Sequence, residues 1–296
     1  MSGHWAISIH GGAGAIPTDL DADMQARILA DLHRIVSAGT DALAHGEAAV
    51  DVVEQLVERL EDDPQFNAGH GAVLCADGTH ELEASIMDGA TGRAGAVTLL
   101  RTTRHPIAAA RLVMEQGSHV LLSGETAESR AREAGLEQVE NSFFRTEHRA
   151  AALERFKAKA DDDPHHATVG AVACDMHGRV AAATSTGGMT GKLPGRIGDT
   201  PIIGAGTWAD TNIAVSCTGR GEDFIRFATA RNVADRVALL GESLQQAAEA
   251  SLAAMPEAAG GLIAVSAAGE IAMPFTSAGM YRAAASSFTA PTAAIA

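Results

Sequence analysis

The pattern of apolar and polar residues predicts two adjacent helices near the start of the chain. In residues 21–46 and again in residues 47–61, apolar side chains recur at three- and four-residue steps, which is the period of one helix face. Asp62-Asp63-Pro64 ends the second helix, because proline cannot continue the hydrogen-bond ladder. Before these helices, residues 5–10 (WAISIH) predict a short buried strand, and residues 10–14 (HGGAG) predict a turn.

The rest of the first half mixes strand and helix patterns. Residues 66–78 predict a loop, a short strand and a turn, and residues 80–87 alternate polar and apolar side chains, as a half-buried strand does. The remaining elements are predicted as a strand over 94–100, helices over 106–116 and 125–134, and a charged surface helix over 145–160. Residues 160–166 are polar and turn-prone with little to bury, so we expect a linker there.

The second half begins with a change to short strands rich in small residues. Strands are predicted over 168–175, 179–184, 202–206 and 212–217, with a turn at 176–178 and a glycine-rich loop over 187–200. Helices are predicted over 221–238 and 243–254, a closing hairpin over 262–275, and a frayed tail after Arg282. Strict β-α-β alternation is absent, which favours an α+β architecture with helices layered outside packed sheets over a doubly wound parallel sheet.

Composition limits the classes of function. The chain has 296 residues, 46% of them hydrophobic, which is enough for one large domain or two small ones. Its formal net charge of -15 disfavours nucleic acid and anionic membrane as partners, because phosphate needs a basic surface. The three cysteines are widely spaced in apolar stretches, so buried free thiols are expected. With no signal peptide or membrane-spanning run in the sequence, the expected location is the cytoplasm.

The segment from His166 to Gly198 contains the candidate chemistry. Thr168 follows the predicted linker and opens a buried strand, so cleavage of the Ala167–Thr168 bond would expose it as a new N-terminus. A threonine hydroxyl needs a base, and a free α-amine has a pKa of about 7.7–8.0, which makes it a usable base near neutrality. A strand threonine is common in itself, and the weight of this interpretation rests on the residues downstream. With that amine available, no histidine is required as the base, His10 included.

A set of motifs in this order resembles the plant-type asparaginases and isoaspartyl dipeptidases of the N-terminal nucleophile hydrolase superfamily. The motifs are HGGAG (10–14), FNAG (66–69), TVGAV (168–172), TSTGGMTGKLPGRIGD (184–199), SCTG (216–219), GGLIAV (260–265) and GMYR (279–282). The resemblance implies a four-layer αββα sandwich, with autoproteolysis into an α chain (1–167) and a β chain (168–296) that together form one structural domain. It implies pairing as (αβ)2 and hydrolysis of L-asparagine and β-aspartyl dipeptides.

The resemblance also assigns roles to single residues around the nucleophile. Thr168 is the implied nucleophile, forming a β-aspartyl-enzyme intermediate, and Thr186 is a second hydroxyl that assists it. Thr218 and Gly219 would form the oxyanion hole through a hydroxyl and a backbone N–H. Arg196 would bind the substrate α-carboxylate, since a planar guanidinium grips a carboxylate with two hydrogen bonds.

Other residues are implied to bind the substrate head group or to shape the site. Asp199 would pair with the substrate α-ammonium, and Gly221 would present a backbone carbonyl to it. Without the motif, Arg196 and Asp199 would be interpreted as an ordinary loop salt bridge. Gly11, Gly12 and Asn67 are implied to shape the site beside the nucleophile.

No cofactor is expected for catalysis, but the resemblance implies a structural sodium ion. The segment from Leu60 to His70 resembles the family's sodium-binding loop, with Leu60, Glu61 and Asn67 as candidate residues. In such a loop mostly backbone carbonyls hold the hard cation, which orders the chain beneath the site.

Two residues depart from the family pattern. Ala167 stands where many relatives have glycine or aspartate, and slower processing is expected because alanine tolerates less backbone strain. Arg220 stands between Gly219 and Gly221, where a small or polar residue is commoner, and can alter the preference among dipeptides. The alternatives are a glycosylasparaginase-like amidase, which the missing disulfide pattern disfavours, and an unprocessed inactive homologue acting as a binding protein.

Overall fold

A computed structural model describes residues 3–14, 21–158, 168–257 and 259–295. The strands in chain order are β1 (Ala6–Gly14), β2 (Leu82–Asp88), β3 (Arg93–Leu100), β4 (Leu121–Ser123), β5 (Val169–Cys174), β6 (Val180–Thr186), β7 (Thr207–Ala209), β8 (Ile213–Gly219), β9 (Gly260–Ser266), β10 (Ile271–Ala272), β11 (Gly279–Ser286) and β12 (Thr289–Ala294). The predicted linker over 160–166 lies outside the described residues.

The helices begin and end close to the predicted positions in most cases. In chain order they are α1 (Ala22–Ala44), α2 (Ala49–Glu61), α3 (Pro106–Gln116), α4 (Gly124–Glu133), α5 (Glu147–Lys157), α6 (Gly221–Phe227), α7 (Thr229–Leu240) and α8 (Leu244–Ala253), with a 3₁₀ helix at Asn141–Phe144. Local capping explains two of the starts. The Asp21 carboxylate accepts a hydrogen bond from the Asp23 N–H at the start of α1, and Ser243 and Gln246 form a capping box at α8.

The strands that the structure describes form two sheets. The larger has the order β12-β11-β1-β5-β6-β2-β3-β4, and the smaller has the order β10-β9-β8-β7. Neighbouring strands are antiparallel except for the parallel pair β3 and β4. Val169 at the start of β5 lies opposite Ser185 near the end of β6, so Thr168 is brought to the end of β6. The predicted mixture of helices and sheets, α+β, is confirmed.

Three clusters of buried apolar side chains connect these elements. The first contains side chains of α1 and α2, such as Leu32 and Leu56, together with Ile9 of the larger sheet. The second joins α7 and α8 to the smaller sheet. The third contains Val172 of the larger sheet and Ile263 of the smaller one, with alanines of both sheets. Alanine leaves little volume between two backbones, so the sheets can approach closely.

The glycine-rich HGGAG segment forms part of a strand, so the predicted turn at 10–14 is wrong. β1 continues to Gly14, with a register shift in its pairing to β11 between His10 and Gly12. Gly12 has φ 122, a conformation that favours glycine. The bulge absorbs an extra residue while the sheet hydrogen bonds continue on either side.

Several predictions in the second half are also corrected. Residues 202–206 form turns rather than a strand, and the strand is the shorter β7 that follows. The helix predicted over 221–238 is two helices, α6 and α7, because Ala228 adopts a left-handed conformation with φ 46. The tail predicted to fray after Arg282 is paired in the sheet as far as Ala294, since β11 pairs with β1 and β12 pairs with β11.

Two predictions around β2 are wrong, and burial explains the second of them. Residues 66–78 contain turns and extended chain without a strand. Every residue of β2 is buried, so the polar side chains Glu83 and Ser85 do not face water as a half-buried strand would place them. One face of β2 contacts α2 and α3, and β2 also contacts β7 of the smaller sheet. Alternation along a strand indicates two different environments, and here both are inside the protein.

The predicted state of the cysteines is confirmed, although one lies in a different element. Cys75, Cys174 and Cys217 are free and buried, and Cys75 lies in the irregular segment rather than in a strand. Within the described ranges, none of the helices has both the length and the apolarity needed to cross a membrane.

Candidate active site

Thr168 lies immediately before β5, with its hydroxyl beside that of Thr186. The two Oγ1 atoms are 3.2 Å apart, with the Thr168 hydroxyl donating, and both residues are buried. Thr186 also accepts a hydrogen bond from the Gly188 N–H at 2.9 Å. The structure therefore brings together the two hydroxyls that the sequence predicted to act together.

The backbone of Thr168 is held by His10 of β1. The His10 Nδ1 atom lies 2.8 Å from the Thr168 carbonyl oxygen, which can only accept, so Nδ1 carries the proton. The other ring nitrogen, Nε2, lies 2.9 Å from Ser216 Oγ and accepts its proton. Burial lowers the pKa of His10 to about 3, even though the hydrogen bond to Thr168 opposes the shift, so the ring is neutral. The sequence reasoning missed this contact of His10 with Thr168, because His10 and Thr168 are far apart in the chain.

Behind His10, a chain of buried hydroxyl groups crosses from one sheet to the other. Ser216 Oγ lies 2.8 Å from Thr184 Oγ1, and Thr207 donates to Thr184 at 2.6 Å. Ser85 donates to Thr207 at 2.7 Å. All four side chains are fully buried, so each hydroxyl depends on its neighbour as a partner. The chain fixes the ring orientation of His10 and, through it, the start of β5.

Thr218 and Gly219, the predicted oxyanion hole, end β8. Thr218 Oγ1 accepts a hydrogen bond from the Ala13 N–H of β1 at 3.1 Å, which leaves the hydroxyl proton available to donate elsewhere. Gly219 has φ 147, and a Cβ atom added to it would lie 2.1 Å from the Ala259 carbonyl oxygen. Only glycine fits at this position, which brings the backbone of β8 close to β9.

Arg196 and Asp199, the predicted receptors of the substrate head group, lie near each other without a hydrogen bond between them. The Arg196 guanidinium pairs with Glu222 at 2.9–3.0 Å through Nε and Nη2. Gly221 faces both predicted receptors, since a Cβ added to Gly221 would lie 2.9 Å from Arg196 Nη2 and 2.9 Å from Asp199 Oδ1. The loop salt bridge that the sequence left as the alternative forms with Glu222 and not with Asp199.

The Asp199 carboxyl is buried and incompletely paired. Its Oδ2 atom has no hydrogen-bond partner among the residues that the structure describes. Burial raises the pKa of Asp199 from 3.8 to about 7, although its own backbone N–H and the charge of Arg196 act in the opposite direction. A buried carboxylate with a free oxygen is costly unless a cation supplies the missing contact.

Two charged residues that the sequence reasoning missed lie beneath this region. Glu83 of β2 accepts hydrogen bonds from the Gly198 N–H at 3.1 and 3.3 Å, and burial raises its pKa. The buried Lys192 ammonium lies 4.0 Å from Glu83 Oε1 and donates to the Glu81 carbonyl at 2.8 Å. Both residues tie the glycine-rich loop to β2. The sequence carries no sign of these positions, because the alternation over 80–87 predicted a strand with one solvated face and Lys192 lies in the predicted glycine-rich loop.

The predicted site-shaping residues contact the same loop and the start of the site. Asn67 Nδ2 donates to the Gly188 carbonyl at 2.7 Å, and Asn67 Oδ1 accepts from the Val73 N–H at 2.8 Å. A Cβ added to Gly11 would lie 2.4 Å from the Phe66 ring. Gly12 lies at the bulge of β1, two residues after His10.

The segment proposed for sodium presents backbone oxygens, several of which already accept hydrogen bonds. The Glu61 carbonyl accepts from the His70 N–H at 2.7 Å, and the Asn67 carbonyl accepts from the Gly187 N–H at 3.2 Å. Each carbonyl keeps a second lone pair, so these contacts are compatible with a hard monovalent cation. The Glu61 side chain is buried, its Oε2 atom has no partner in the described ranges, and burial raises its pKa well above its ordinary value. Leu60 has a buried side chain, and among the described residues its carbonyl accepts no hydrogen bond from outside the helix.

The other half of the proposed scissile bond, Ala167, lies outside the described residues. Arg220 is described, and its side chain is 57% exposed and 3.9 Å from Asp223, which already pairs with Arg226 at 2.9 Å. Arg220, which lies between Gly219 and Gly221 in the chain, is therefore a mostly exposed cation with only a long contact to a carboxylate among the described residues.

Comparison with known proteins gives a consistent result over nearly the whole chain. A family model described as "Asparaginase" matches residues 3–295. An "Isoaspartyl peptidase" of Escherichia coli (strain K12) is 46% identical over 297 residues, covering 95% of this chain and 92% of that protein. A "Probable isoaspartyl peptidase/L-asparaginase 2" of Arabidopsis thaliana is 41% identical, covering 95% of each chain. An "Isoaspartyl peptidase/L-asparaginase" of Bos taurus is 41% identical, covering 94% of this chain and 92% of that protein.

Proposed function

We propose, on the premise that this chain belongs to the asparaginase family, that it hydrolyses isoaspartyl dipeptides and the side-chain amide of L-asparagine. The chain belongs to this family, because the family model matches residues 3–295. The substrates follow from the names of relatives that are 41–46% identical over almost the full length. Both substrates carry the same aspartyl head group with an α-ammonium and an α-carboxylate, so one site can accept them.

The buried, half-paired carboxyl of Asp199 is the observation that carries this proposal. Its free Oδ2 atom lies in a site whose nearby cation, Arg196, is bound to Glu222 instead. A substrate α-ammonium would supply the missing partner, and the substrate α-carboxylate would meet the guanidinium. A zwitterionic head group therefore gives both Asp199 and Arg196 a partner of opposite charge. Gly221 lies against both side chains, which make no hydrogen bond to each other.

Activation is proposed to begin with the hydroxyl of Thr168. Its oxygen attacks the carbonyl carbon of Ala167, the peptide C–N bond breaks, and the acyl group moves from nitrogen to oxygen as an ester. Water then hydrolyses the ester, which leaves Ala167 with a carboxylate and Thr168 with a free α-amine. The hydrogen bond from His10 to the Thr168 carbonyl supports this step by fixing the backbone of the nucleophile.

In the proposed turnover, the new α-amine takes the proton of the Thr168 hydroxyl as the oxygen attacks the substrate side-chain carbonyl. The Thr218 hydroxyl and the Gly219 N–H would stabilise the oxyanion, a contribution of about 3 kcal/mol per donor. The amine then protonates the leaving nitrogen, which departs as ammonia or as an amino acid. Water, deprotonated by the same amine, cleaves the β-aspartyl ester on Thr168. The short contact between the hydroxyls of Thr168 and Thr186 supports a role for Thr186 in orienting the nucleophile.

The finer architecture is proposed on the same basis. We infer four layers in the order helix, sheet, sheet, helix, supported by the apolar clusters on each side of the two sheets and between them. The α chain (1–167), the β chain (168–296), the (αβ)2 assembly and the cytoplasmic location remain predictions from sequence. So does a structural sodium ion held by carbonyls of the segment that begins at Leu60, which would order the loop and take no part in the reaction.

Processing and activity can be tested together in one variant. Purified protein is expected to give two fragments on a denaturing gel, the smaller with threonine at its N-terminus by Edman or mass analysis. Thr168→Ala is expected to remain a single chain of 30.4 kDa and to release no ammonia from L-asparagine. Ammonia release by an uncut chain would contradict the proposed base. A wild-type chain that stays whole and inactive would favour the binding-protein alternative.

A further inference from the structure

The Arg196 guanidinium has two edges that can bind a carboxylate, and Glu222 already occupies one of them. A guanidinium can hold a carboxylate through Nε and Nη2, or through Nη1 and Nη2. Glu222 occupies the first edge, with Nε to Oε1 at 3.0 Å and Nη2 to Oε2 at 2.9 Å. Across the described ranges, Nη1 makes no hydrogen bond. The second edge is therefore the one that a further carboxylate can use.

Two further carboxylates, Glu83 and Asp199, lie near Arg196 and compete with Glu222 for its guanidinium. The pKa of Arg196 is raised: burial lowers it, but the hydrogen bond to Glu222 and the charges of Glu222, Glu83 and Asp199 outweigh that effect. Arg196 Nη2 and Asp199 Oδ1 both lie 2.9 Å from the point where a Cβ on Gly221 would be, yet no hydrogen bond joins them. Without Glu222, the Arg196 side chain would be attracted towards these buried carboxylates. A salt bridge between Arg196 and Asp199 would then occupy both groups that are proposed to bind the substrate head group.

We propose that Glu222 is a positioning residue, which holds Arg196 by its side edge so that the Nη1–Nη2 edge faces the substrate α-carboxylate and stays apart from Asp199. The proposal deepens the proposed function and rests on it. Glu222 lies in the first turn of α6, two residues after Arg220 and three after Gly219. The pair therefore connects the glycine-rich loop, which carries Arg196, to the segment that carries the candidate oxyanion hole.

The test compares Glu222→Gln with a matched control on two substrates. Glutamine has the same length but places an amide NH₂ where Arg196 needs an acceptor, so the bidentate grip is lost. We expect the KM for L-asparagine to rise about 10- to 100-fold with a smaller change in kcat. For L-asparaginamide, which keeps the α-ammonium and lacks the α-carboxylate, we expect less than a threefold change. A gel verifies that the variant is processed as the wild type is.

The matched control is Glu242→Gln. Glu242 makes the same kind of side-on pair with Arg236, at 2.6 and 2.7 Å, between α7 and α8, where no candidate site residue lies. It is expected to leave both KM values unchanged. Arg196→Ala and the double variant Arg196→Ala/Glu222→Ala are expected to have the same KM for L-asparagine, because Glu222 acts only through Arg196.

Three results would overturn the proposal. Equal losses on both substrates would make Glu222 a general structural residue, and a lower KM for L-asparagine would make it a competitor of the substrate. If the effects of the two substitutions simply add in the double variant, Glu222 acts independently of Arg196.

Calorimetric binding of L-aspartate distinguishes failure of the proposed function from failure of the proposed role of Glu222. If the wild type binds L-aspartate but hydrolyses neither L-asparagine nor L-asparaginamide, only the proposed function is contradicted. The affinity of Glu222→Gln for L-aspartate then decides the role of Glu222. Wild type that neither binds nor hydrolyses contradicts both.

Discussion

At the scale of single residues, Asp199 connects substrate binding to the stability of the free protein. Its carboxyl is buried, and one of its oxygens has no partner within the described part of the chain. Its pKa of about 7 in the folded state lies above the ordinary 3.8. Between these values the folded protein keeps a proton that the unfolded chain releases. The contribution of Asp199 to the free energy of unfolding therefore falls as the pH rises from about 4 to about 7, and the destabilisation is complete above pH 7.

We expect Asp199→Asn to stabilise the unliganded protein by roughly 1–3 kcal/mol at pH 8 and to have little effect at pH 4. The same variant is expected to lose measurable affinity for L-aspartate, because a neutral amide cannot pair with the α-ammonium. Thermal unfolding of both proteins between pH 4 and pH 8, with and without L-aspartate, measures the two effects.

A surface carboxylate provides the control for this experiment. Asp235 pairs with Arg231 on the exposed side of α7 at 2.7 Å, and Asp235→Asn is expected to change the stability by less than about 1 kcal/mol, as the loss of an exposed ion pair does. A destabilised Asp199→Asn protein at pH 8 would mean that Arg196 already compensates the Asp199 charge in the free protein.

The residues of the candidate site differ in how far sequence could predict them. Thr168 and Thr186 were predicted from motifs, and they lie together in the structure. Glu83 and Glu222 were not predicted, because a carboxylate in an alternating strand or in the first turn of a helix is usually solvated. Their roles depend on contacts with chain more than 20 residues away, namely Gly198 for Glu83 and Arg196 for Glu222, and a local pattern carries no information on such contacts.

At the scale of elements, the TVGAV strand shows why a glycine follows two residues after the nucleophile. A Cβ added to Gly170 of β5 would lie 2.1 Å from Ser216 Oγ and 2.5 Å from His10 Nε2. β5 therefore lies directly against the hydrogen bond between these two side chains, which orients His10 towards the Thr168 carbonyl. The absence of a side chain at Gly170 is what gives that bond its space.

We expect Gly170→Ala to destabilise the protein by about 1–3 kcal/mol, as overpacking of a filled core does, and to lower kcat at least tenfold. Ser216→Ala alone is expected to cost about 1–3 kcal/mol, because it leaves His10 Nε2 without a partner. In the double variant the Ser216 oxygen is no longer in the way, so the combined loss should be smaller than the sum. Denaturant unfolding of the four proteins gives the coupling energy, and strict additivity would show that Gly170 and the His10–Ser216 bond are independent.

The elements themselves were predicted best where one period extends over many residues. α1, α2 and α3 begin and end within two residues of the predicted ranges, because an amphipathic face or an N-terminal proline is a local signal. The bulge in β1 and the break at Ala228 were missed, since each depends on what packs against the chain. The tail was predicted to fray on composition alone, yet β11 pairs with β1, whose sequence lies at the opposite end of the chain.

At the scale of the whole molecule, the larger sheet interleaves the two proposed fragments. Its order is β12-β11-β1-β5-β6-β2-β3-β4, in which β1 to β4 precede Thr168 and the remaining strands follow it. β1 lies between β11 and β5, and β2 pairs with β6, so three ladders join the two fragments. The His10 contact to Thr168 and the Ala13 contact to Thr218 cross the same boundary. Each fragment alone would expose strand edges and apolar faces that the other covers.

Cleavage at Thr168 is therefore expected to produce fragments that neither separate nor unfold independently. In size-exclusion chromatography with light scattering, both fragments should elute in a single peak at twice the 30.4 kDa of one chain, as the (αβ)2 assembly requires. Their unfolding should be a single cooperative transition, and the fragments should separate only in denaturant. Unprocessed Thr168→Ala is the control and should elute at the same position, because the ladders exist before the cut. Dissociation of the smaller fragment from the native protein would show that the mixed sheet does not hold the two fragments together. A peak at 30.4 kDa would show that one processed chain is stable without pairing to a second copy.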